Sequence, residues 1–398
     1  MRRGQRRLSG RAPDQPLRLI RAASGPDPAL YNEHVKAWDV IVVGGGVIGL
    51  ALGLALRRVG MKVLVLDKNQ PGREASWAAG GMIAQAEVEE PLRPLAAASA
   101  RMYSEFVQML EDESRLKIDL RSQGTIVLGE TGKTFAGSKA SPVTAQELRE
   151  LEPEVRQSGP GMFLEEQSVD PRGLVTAMVA AAKHLGVDVA AGAEVTDIEL
   201  EHGHVARVQT RKTSYVSGNV VNCAGAWAGE IGPVRVPVRP VKGHMLAVAA
   251  EVQGKEHSST SATHIPALLV QHAIRAGGTY IIPRSDGRMV IGSTLEEMGF
   301  DKRVDPDIIR ELHDSAARVL PRLSECRMLE SWTGLRPGTP DKLPILGPTD
   351  IEGYYLSAGH YRDGILLAPV TALVMSQLLR GMKPEFDLGP FSPGCFRD

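Results

Sequence analysis

Residues 39–67 read DVIVVGGGVIGLALGLALRRVGMKVLVLD, and this stretch decides the fold. A Val/Ile run leads straight into three glycines, an apolar segment follows to about Gly60, and a second Val/Leu run ends at Asp67. Unbroken rather than alternating hydrophobicity is what parallel strands need when both faces of their sheet are covered. The pattern therefore predicts strand, turn, helix and strand in a βαβ unit. Gly44-x-Gly46-x-x-Gly49 occupies the turn. Gly44 permits the tight bend, Gly46 lets backbone approach a pyrophosphate, and Gly49 lets helix and strand pack closely. The free N–H groups of the helix start face the phosphates. Asp67 follows Gly49 by 18 residues, where a carboxylate can bond a ribose hydroxyl. Together these parts predict a dinucleotide site and leave nicotinamide and flavin cofactors both open. The uncharged run 40–56 is not read as a membrane span, because glycines break it and Arg57 and Arg58 end it.

Working outward, residues 73–87 read REASWAAGGMIAQAE. A run of small residues just after the second strand lets backbone lie against a large flat ring, and Ser76 adds a hydroxyl. This tilts the choice slightly toward flavin, although such runs also occur in ordinary buried turns. A helix is predicted over 94–114, a strand over 122–128, a loop over 129–141, and a capping box at Thr144 and Glu147. A further helix runs from Gly173 to about Leu185, followed by a strand near 187–190 and a hairpin turning at Gly203. From Val238 the texture becomes antiparallel, with strands at 241–248, 268–274, 278–284 and 288–293. Asp286-Gly287 joins the last two. A helix over 305–320, a strand YYLSAGH and a helix from about Ile365 complete the chain. Cofactor-type segments thus recur near the start, middle and end, with antiparallel material between them. This predicts two interleaved domains, one from 37–90, 160–235 and 330–385, the other from 91–159 and 236–329, with a tail at 386–398.

Composition bounds the partners. The chain has 398 residues, 43% hydrophobic and 23% charged, with a formal net charge of -1. No basic excess points to nucleic acid or to an anionic membrane surface. Three scattered cysteines, Cys223, Cys326 and Cys395, argue for a reduced, cytoplasmic protein without disulfides or a metal framework. Residues 1–36 carry seven arginines and no sustained periodicity; they read as a disordered leader, with a transit peptide as the alternative that Asp14, Asp27 and Glu33 weaken.

Several segments resemble the flavoprotein superfamily of D-amino-acid and sarcosine oxidases, and within it the glycine oxidases of thiamine (thiazole) biosynthesis. They are VVGGGVIGLALGLAL (42–56), SWAAGGMIA (76–84), VNCAGAWAG (221–229), PVKGHML (240–246), YIIPR (280–284), GLRPGTPDKLPILGP (334–348) and GHYRDGILLAP (359–369). The resemblance runs from Trp38 nearly to the end. It implies an α/β and α+β fold, with a glutathione-reductase-type, FAD-binding Rossmann domain interleaved with an antiparallel-sheet substrate domain. Carried over by position, Gly44, Gly46, Gly49 and Asp67 would hold the ADP part of FAD, and Ser76, Ala79, Gly80, Gly81 and Met82 would line the flavin. Gly359, His360, Arg362, Gly364 and Ile365 would close over its pyrimidine side, and Val47, Ile48, Lys68, Gly225 and Asp363 would also bind the cofactor.

For the substrate, Arg336 would grip an amino-acid carboxylate, Tyr280 would orient it, and Arg362 would stand nearby. A planar carboxylate suits a guanidinium fork. Without the motifs, Arg336 reads as an ordinary surface ion pair and Tyr280 as a core tyrosine. His360 reads as a structural neighbour of the flavin rather than a base. His244, where the family more often has glutamine, reads as strand surface or site rim. Leu295 stands where a methionine is expected on the pocket wall, and Gly278 replaces a residue near the entrance. The implied reaction is oxidation of glycine or a similar small amine (sarcosine, D-alanine) by hydride transfer to flavin. Oxygen would be the acceptor, and the imine would feed the thiazole synthase machinery. The alternative is a dehydrogenase of D-amino acids, proline or sarcosine that passes electrons to a quinone or a protein. A homo-oligomer is the expected assembly.

Overall fold

The computed structural model describes residues 37–86, 88, 90–129, 135, 137–156, 159–252 and 268–396. The expected leader lies outside these residues. Two large sheets carry the fold. The first has six strands in the order Ile345–Pro348, Tyr354–Ala358, Val220–Asn222, Val40–Val43, Val63–Asp67 and Asp188–Ala191. All its pairings are parallel except the edge pair of Ile345–Pro348 with Tyr354–Ala358. Every residue of Val40–Val43 is buried, as its continuous apolar sequence requires.

Helices α1 (Val47–Arg58), α3 (Arg93–Ser114), α5 (Pro171–Leu185) and α7 (Gly364–Leu379) join one hydrophobic core with this sheet. The short helix α2 (Ala75–Ala78) lies in the small-residue run. Helix α7 is apolar nearly all round because it is buried nearly all round. Pro369 inside it cannot donate to the Ile365 carbonyl, and the Tyr103 hydroxyl of α3 donates there instead, at 3.2 Å. Ser99, also on α3, donates to the Leu366 carbonyl at 2.6 Å and accepts from the Val370 N–H at 3.3 Å. Helix α3 thus repairs the backbone of α7 and fixes where its N-terminus points.

The second sheet has eight strands in the order Cys326–Gly338, Arg239–Val252, Arg288–Gly292, Thr279–Pro283, Ala273–Ala276, Thr125–Leu128, Gly161–Leu164 and Ala140–Val143. Its pairings are antiparallel except that of Ala273–Ala276 with Thr125–Leu128. Helices α4 (Ala145–Leu151) and α6 (Pro306–Val319) belong with it, burying Leu148, Ile309, Leu312 and Ala316 in its core. The capping box at Thr144 and Glu147 forms as the sequence predicts. The turn around Asp286-Gly287 closes with a bond from Gly287 N–H to the Arg284 carbonyl, with Gly287 at φ +87°. A second tight turn, Gly277-Gly278, takes positive φ at both residues (+54° and +86°), the geometry that twists with the flanking strands.

Four details depart from the sequence reading. The strand expected over 268–274 runs from Ala273 to Ala276 instead. The loop expected over 129–141 gives way to a strand at Ala140–Val143. Helix α3, placed by sequence with the antiparallel domain, packs in the core of the parallel sheet, because its apolar stripe (Leu95, Tyr103, Phe106, Leu110) meets the helices there. Gly161–Leu164, placed by sequence with the parallel domain, pairs into the eight-stranded sheet. Among the described residues, no helix is long and apolar enough to cross a membrane.

Candidate active site

A cavity of about 530 Å³ opens between the two sheets, lined by backbone on one side and by side chains on the other. The backbone side starts at the glycine turn. Gly44 takes φ +106°, and a Cβ there would lie 2.3 Å from the Cys223 carbonyl oxygen. A Cβ on Gly49 would lie 1.9 Å from the Gly44 carbonyl oxygen, so helix and strand meet at a distance only glycine permits. Gly46, Val47 and Ile48 face the cavity at the start of α1. Gly46 offers no side chain to cap that helix, and Ser76 supplies the cap from α2, its Oγ accepting from Val47 N–H at 2.9 Å. The Ser76 hydroxyl proton remains available for donation to an anionic oxygen at the same place. Asp67 ends the second strand and accepts from Gly45 N–H at 2.8 Å, which ties the acid to the glycine turn. Burial raises its pKa, against the pull of its backbone N–H bonds.

The small-residue run forms the next wall, with Ala79, Gly80, Gly81 and Met82 all on the cavity. Its backbone is held by two residues that sequence reasoning passed over. Arg284, 1% exposed, donates to the Gly80 carbonyl at 2.5 Å, and Trp332 Nε1 donates to the Ala78 carbonyl at 3.1 Å. Burial lowers the Arg284 pKa to about 10, with Asp170 and Asp119 opposing the drop. Only the motif YIIPR hinted at Arg284; its partner lies 204 residues away. Gly225 reaches the cavity from the 221–229 motif, whose loop is folded back by Asn222 Nδ2 donating to the carbonyls of Ala228 and Ile231.

At the far end, His360, Arg362, Asp363, Gly364 and Ile365 bring the start of α7 to the cavity. His360 is buried, and its Nε2 pairs with Thr371 Oγ1 at 3.1 Å. Burial drops its pKa to about 3, so the ring is neutral at physiological pH, as suits a structural neighbour better than a base. Burial pushes the Asp363 carboxyl up to about 6, with Arg362 opposing. Lys68 follows Asp67, and its Nζ sits 3.1 Å over the ring of Trp227.

The side-chain wall comes from the eight-stranded sheet. Arg336 lies opposite Val241 in the pairing of the two long strands. Its Nη2 donates to Ser293 Oγ at 2.8 Å and its Nη1 to the Thr294 carbonyl at 3.0 Å. Gly243 makes this possible, since a Cβ there would lie 2.2 Å from Arg336 Nη1. Burial depresses the Arg336 pKa, the Tyr280 hydroxyl beside it favours the charged form, and Arg362 near it works the other way. Among the described residues, no carboxylate pairs with Arg336. Tyr280 lines the cavity and packs directly on Gly80, where a Cβ would lie 3.1 Å from its hydroxyl. Leu295 and the Gly277-Gly278 turn line the cavity too, as the sequence reading placed them. His244 does not fit its expected place on the surface or rim. It is fully buried, because its ring closes the loop that follows Gly292.

The backbone wall is a cradle that side chains would fill, with helix starts aimed into it. This is a cavity built for a large, flat, phosphate-bearing group, and its residues fit FAD. The family model described as FAD dependent oxidoreductase (DAO) matches residues 39–378. The chain belongs to this family of FAD-dependent oxidoreductases. It is 33% identical over 377 residues to the bifunctional protein ThiO/ThiG of Trichormus variabilis, covering 90% of this chain and 55% of that protein. It is 32% identical over 379 residues to the glycine oxidase of Pseudomonas putida, covering 89% of this chain and 98% of that one. The chain thus spans about half of the bifunctional relative and nearly all of the glycine oxidase. The crystal structure of glycine oxidase from Geobacillus kaustophilus superposes with a TM-score of 0.81 at 30% identity. That match covers 89% of this chain and 98% of the other.

Proposed function

We propose that this flavoprotein oxidises glycine or a similarly small amino acid or amine. One observation carries the reading: the Arg336 guanidinium faces the cavity with no carboxylate paired to it among the described residues. A cation withdrawn from water needs an anion, and a carboxylate presented by a ligand supplies one with matching planar geometry. Tyr280 and Arg362 stand beside it, and Gly80, lacking a side chain, lets the tyrosine ring pack directly on the small-residue run. The likeness to glycine oxidases supports a small substrate.

Gly44, Gly46, Gly49, Ser76 and Asp67 would hold the ADP part of FAD, and the 79–82 run and the start of α7 would hold the flavin. Bound there, FAD supplies the two-electron acceptor. The protein's residues do the rest by position. Arg336 and Tyr280 fix the carboxylate, and the α-carbon is thereby directed at the small-residue wall. Orientation of this kind supplies much of the rate without a dedicated base. The substrate becomes an imine, which water hydrolyses to ammonia and, from glycine, glyoxylate; oxygen is reduced to hydrogen peroxide. The ThiO/ThiG relative supports a further proposal, that the imine feeds a thiazole synthase.

The test is the visible spectrum of the purified holoenzyme, followed without air as glycine, sarcosine, D-alanine and D-proline are added in turn. Bleaching by glycine or sarcosine, with colour and peroxide on readmitting air, is the expected result. Bleaching without peroxide identifies a dehydrogenase. A yellow protein unmoved by all four amines overturns the substrate assignment.

A further inference from the structure

The loop that supplies the Arg336 acceptors is closed by one buried imidazole. His244 is 0% exposed. Its Nδ1 lies 2.7 Å from Glu296 Oε1, and its Nε2 accepts the Asp305 N–H at 2.9 Å. An Nε2 that accepts leaves the ring proton on Nδ1, so the neutral ring donates to Glu296. His244 N–H also donates to Thr294 Oγ1 at 2.9 Å, and that hydroxyl donates to the same Glu296 oxygen. Burial works against a charge on Glu296, yet the bonds from Thr294 and His244 outweigh it and hold its pKa below the usual range. The Glu296 backbone pairs both ways with that of Lys242, at 2.9 and 3.0 Å.

The ring therefore spans the two ends of the segment between Gly292 and α6, touching Glu296 near its start and Asp305 at its end. The residues fastened this way are the neighbours of the groups that aim Arg336: the Ser293 hydroxyl and the Thr294 carbonyl. Leu295, on the cavity wall, lies between Thr294 and Glu296 in the chain. We propose that His244, acting through Glu296 and Thr294, is a positioning residue that sets the direction of the Arg336 guanidinium and hence the affinity for the substrate carboxylate. The proposal rests on the carboxylate role of Arg336.

Its chemistry predicts which replacement works. Gln carries one donor and one acceptor on a single side chain of similar reach, whereas Leu fills the space and offers neither. Holoenzyme variants H244L, H244Q, T294V and R336A would be titrated with acetate, a carboxylate without an amine, through the flavin absorbance. KM, kcat and FAD content would be measured alongside. H244L should weaken acetate binding and raise KM by roughly tenfold to a hundredfold, the effect of leaving buried hydrogen-bonding groups unpaired. Saturated kcat should change far less, and FAD content should hold. H244Q should recover most of the loss. T294V removes the hydroxyl that joins His244 to Glu296 and should show a severalfold loss, which preserves the test if H244L does not fold. Unchanged acetate binding in H244L, or in T294V where H244L does not fold, overturns the positioning role if R336A abolishes binding. Unchanged binding in R336A overturns the carboxylate clamp itself.

Discussion

The two walls of the cavity are built by opposite means. The wall on the parallel sheet is backbone: glycines, helix starts and small residues, with a Cβ excluded at Gly44 and Gly49 by contacts of 2.3 and 1.9 Å. The wall on the eight-stranded sheet is side chain: Arg336, Tyr280 and the groups that aim them. A backbone wall tolerates almost no substitution but asks little of its neighbours' chemistry. A side-chain wall accepts substitution in space but depends on a chain of hydrogen bonds. The first suits a cofactor that never changes, the second a substrate whose choice can drift.

The contrast can be broken from either side. The largest effect is expected from Gly49→Ala, whose new methyl meets backbone that cannot yield. It should cost at least about 3 kcal/mol of stability and yield colourless protein, read by thermal unfolding and flavin absorbance. Next comes Arg336→Ala, which should leave FAD content intact while kcat/KM for glycine falls about a hundredfold or more. A variant that loses colour and activity together would mean that the two walls are not separable. Tyr103→Phe sharpens the comparison at a distance. It leaves the Ile365 carbonyl without the hydroxyl that replaces the missing Pro369 N–H, and should cost about 1–2 kcal/mol in a thermal melt.

The smallest effect is a pH dependence. The folded-state pKa of Asp363 is raised to about 6 from 3.8, so the folded FAD-free protein binds that proton more tightly than the unfolded chain. Its penalty is absent below about pH 4, grows between 4 and 6, and is complete above. Asp363→Asn should therefore stabilise the FAD-free protein at pH 8 by about 1 kcal/mol, after allowing for partial solvent access, and change nothing at pH 4. Thermal melts across that range check it.

The same contrast explains what could be read from the chain. The βαβ unit, its glycines and the capping box are local patterns, complete within a few turns of sequence. Residues 39–67 carry them because strand hydrophobicity and glycine spacing are imposed by neighbours in the chain. Arg284, His244 and α3 were not legible in that way. Arg284 meets Gly80 across 204 residues, and His244 meets Glu296 across 52 and Asp305 across 61. What each does depends on which strand lies beside which and in what register, and no periodicity encodes that. Helix α3 announced its apolar stripe, but a stripe does not name the core that receives it. Arg336 and Tyr280 fall between the two cases. Their motifs drew attention to them, whereas the Gly243 gap that admits the guanidinium emerged only from the cross-strand pairing.

One feature of the backbone wall gives the protein its own optical gauge. Arg172 lies 3.5 Å from the Trp77 ring centroid and 4.5 Å from that of Trp332, and Trp332 is bonded to the Ala78 carbonyl in the wall itself. Two of the chain's four tryptophans are therefore anchored beside the place where an isoalloxazine would rest. Such a chromophore absorbs where indoles emit, so loading the cavity should dim the protein's ultraviolet fluorescence. Occupancy could then be followed in real time, without a label and before any substrate is added.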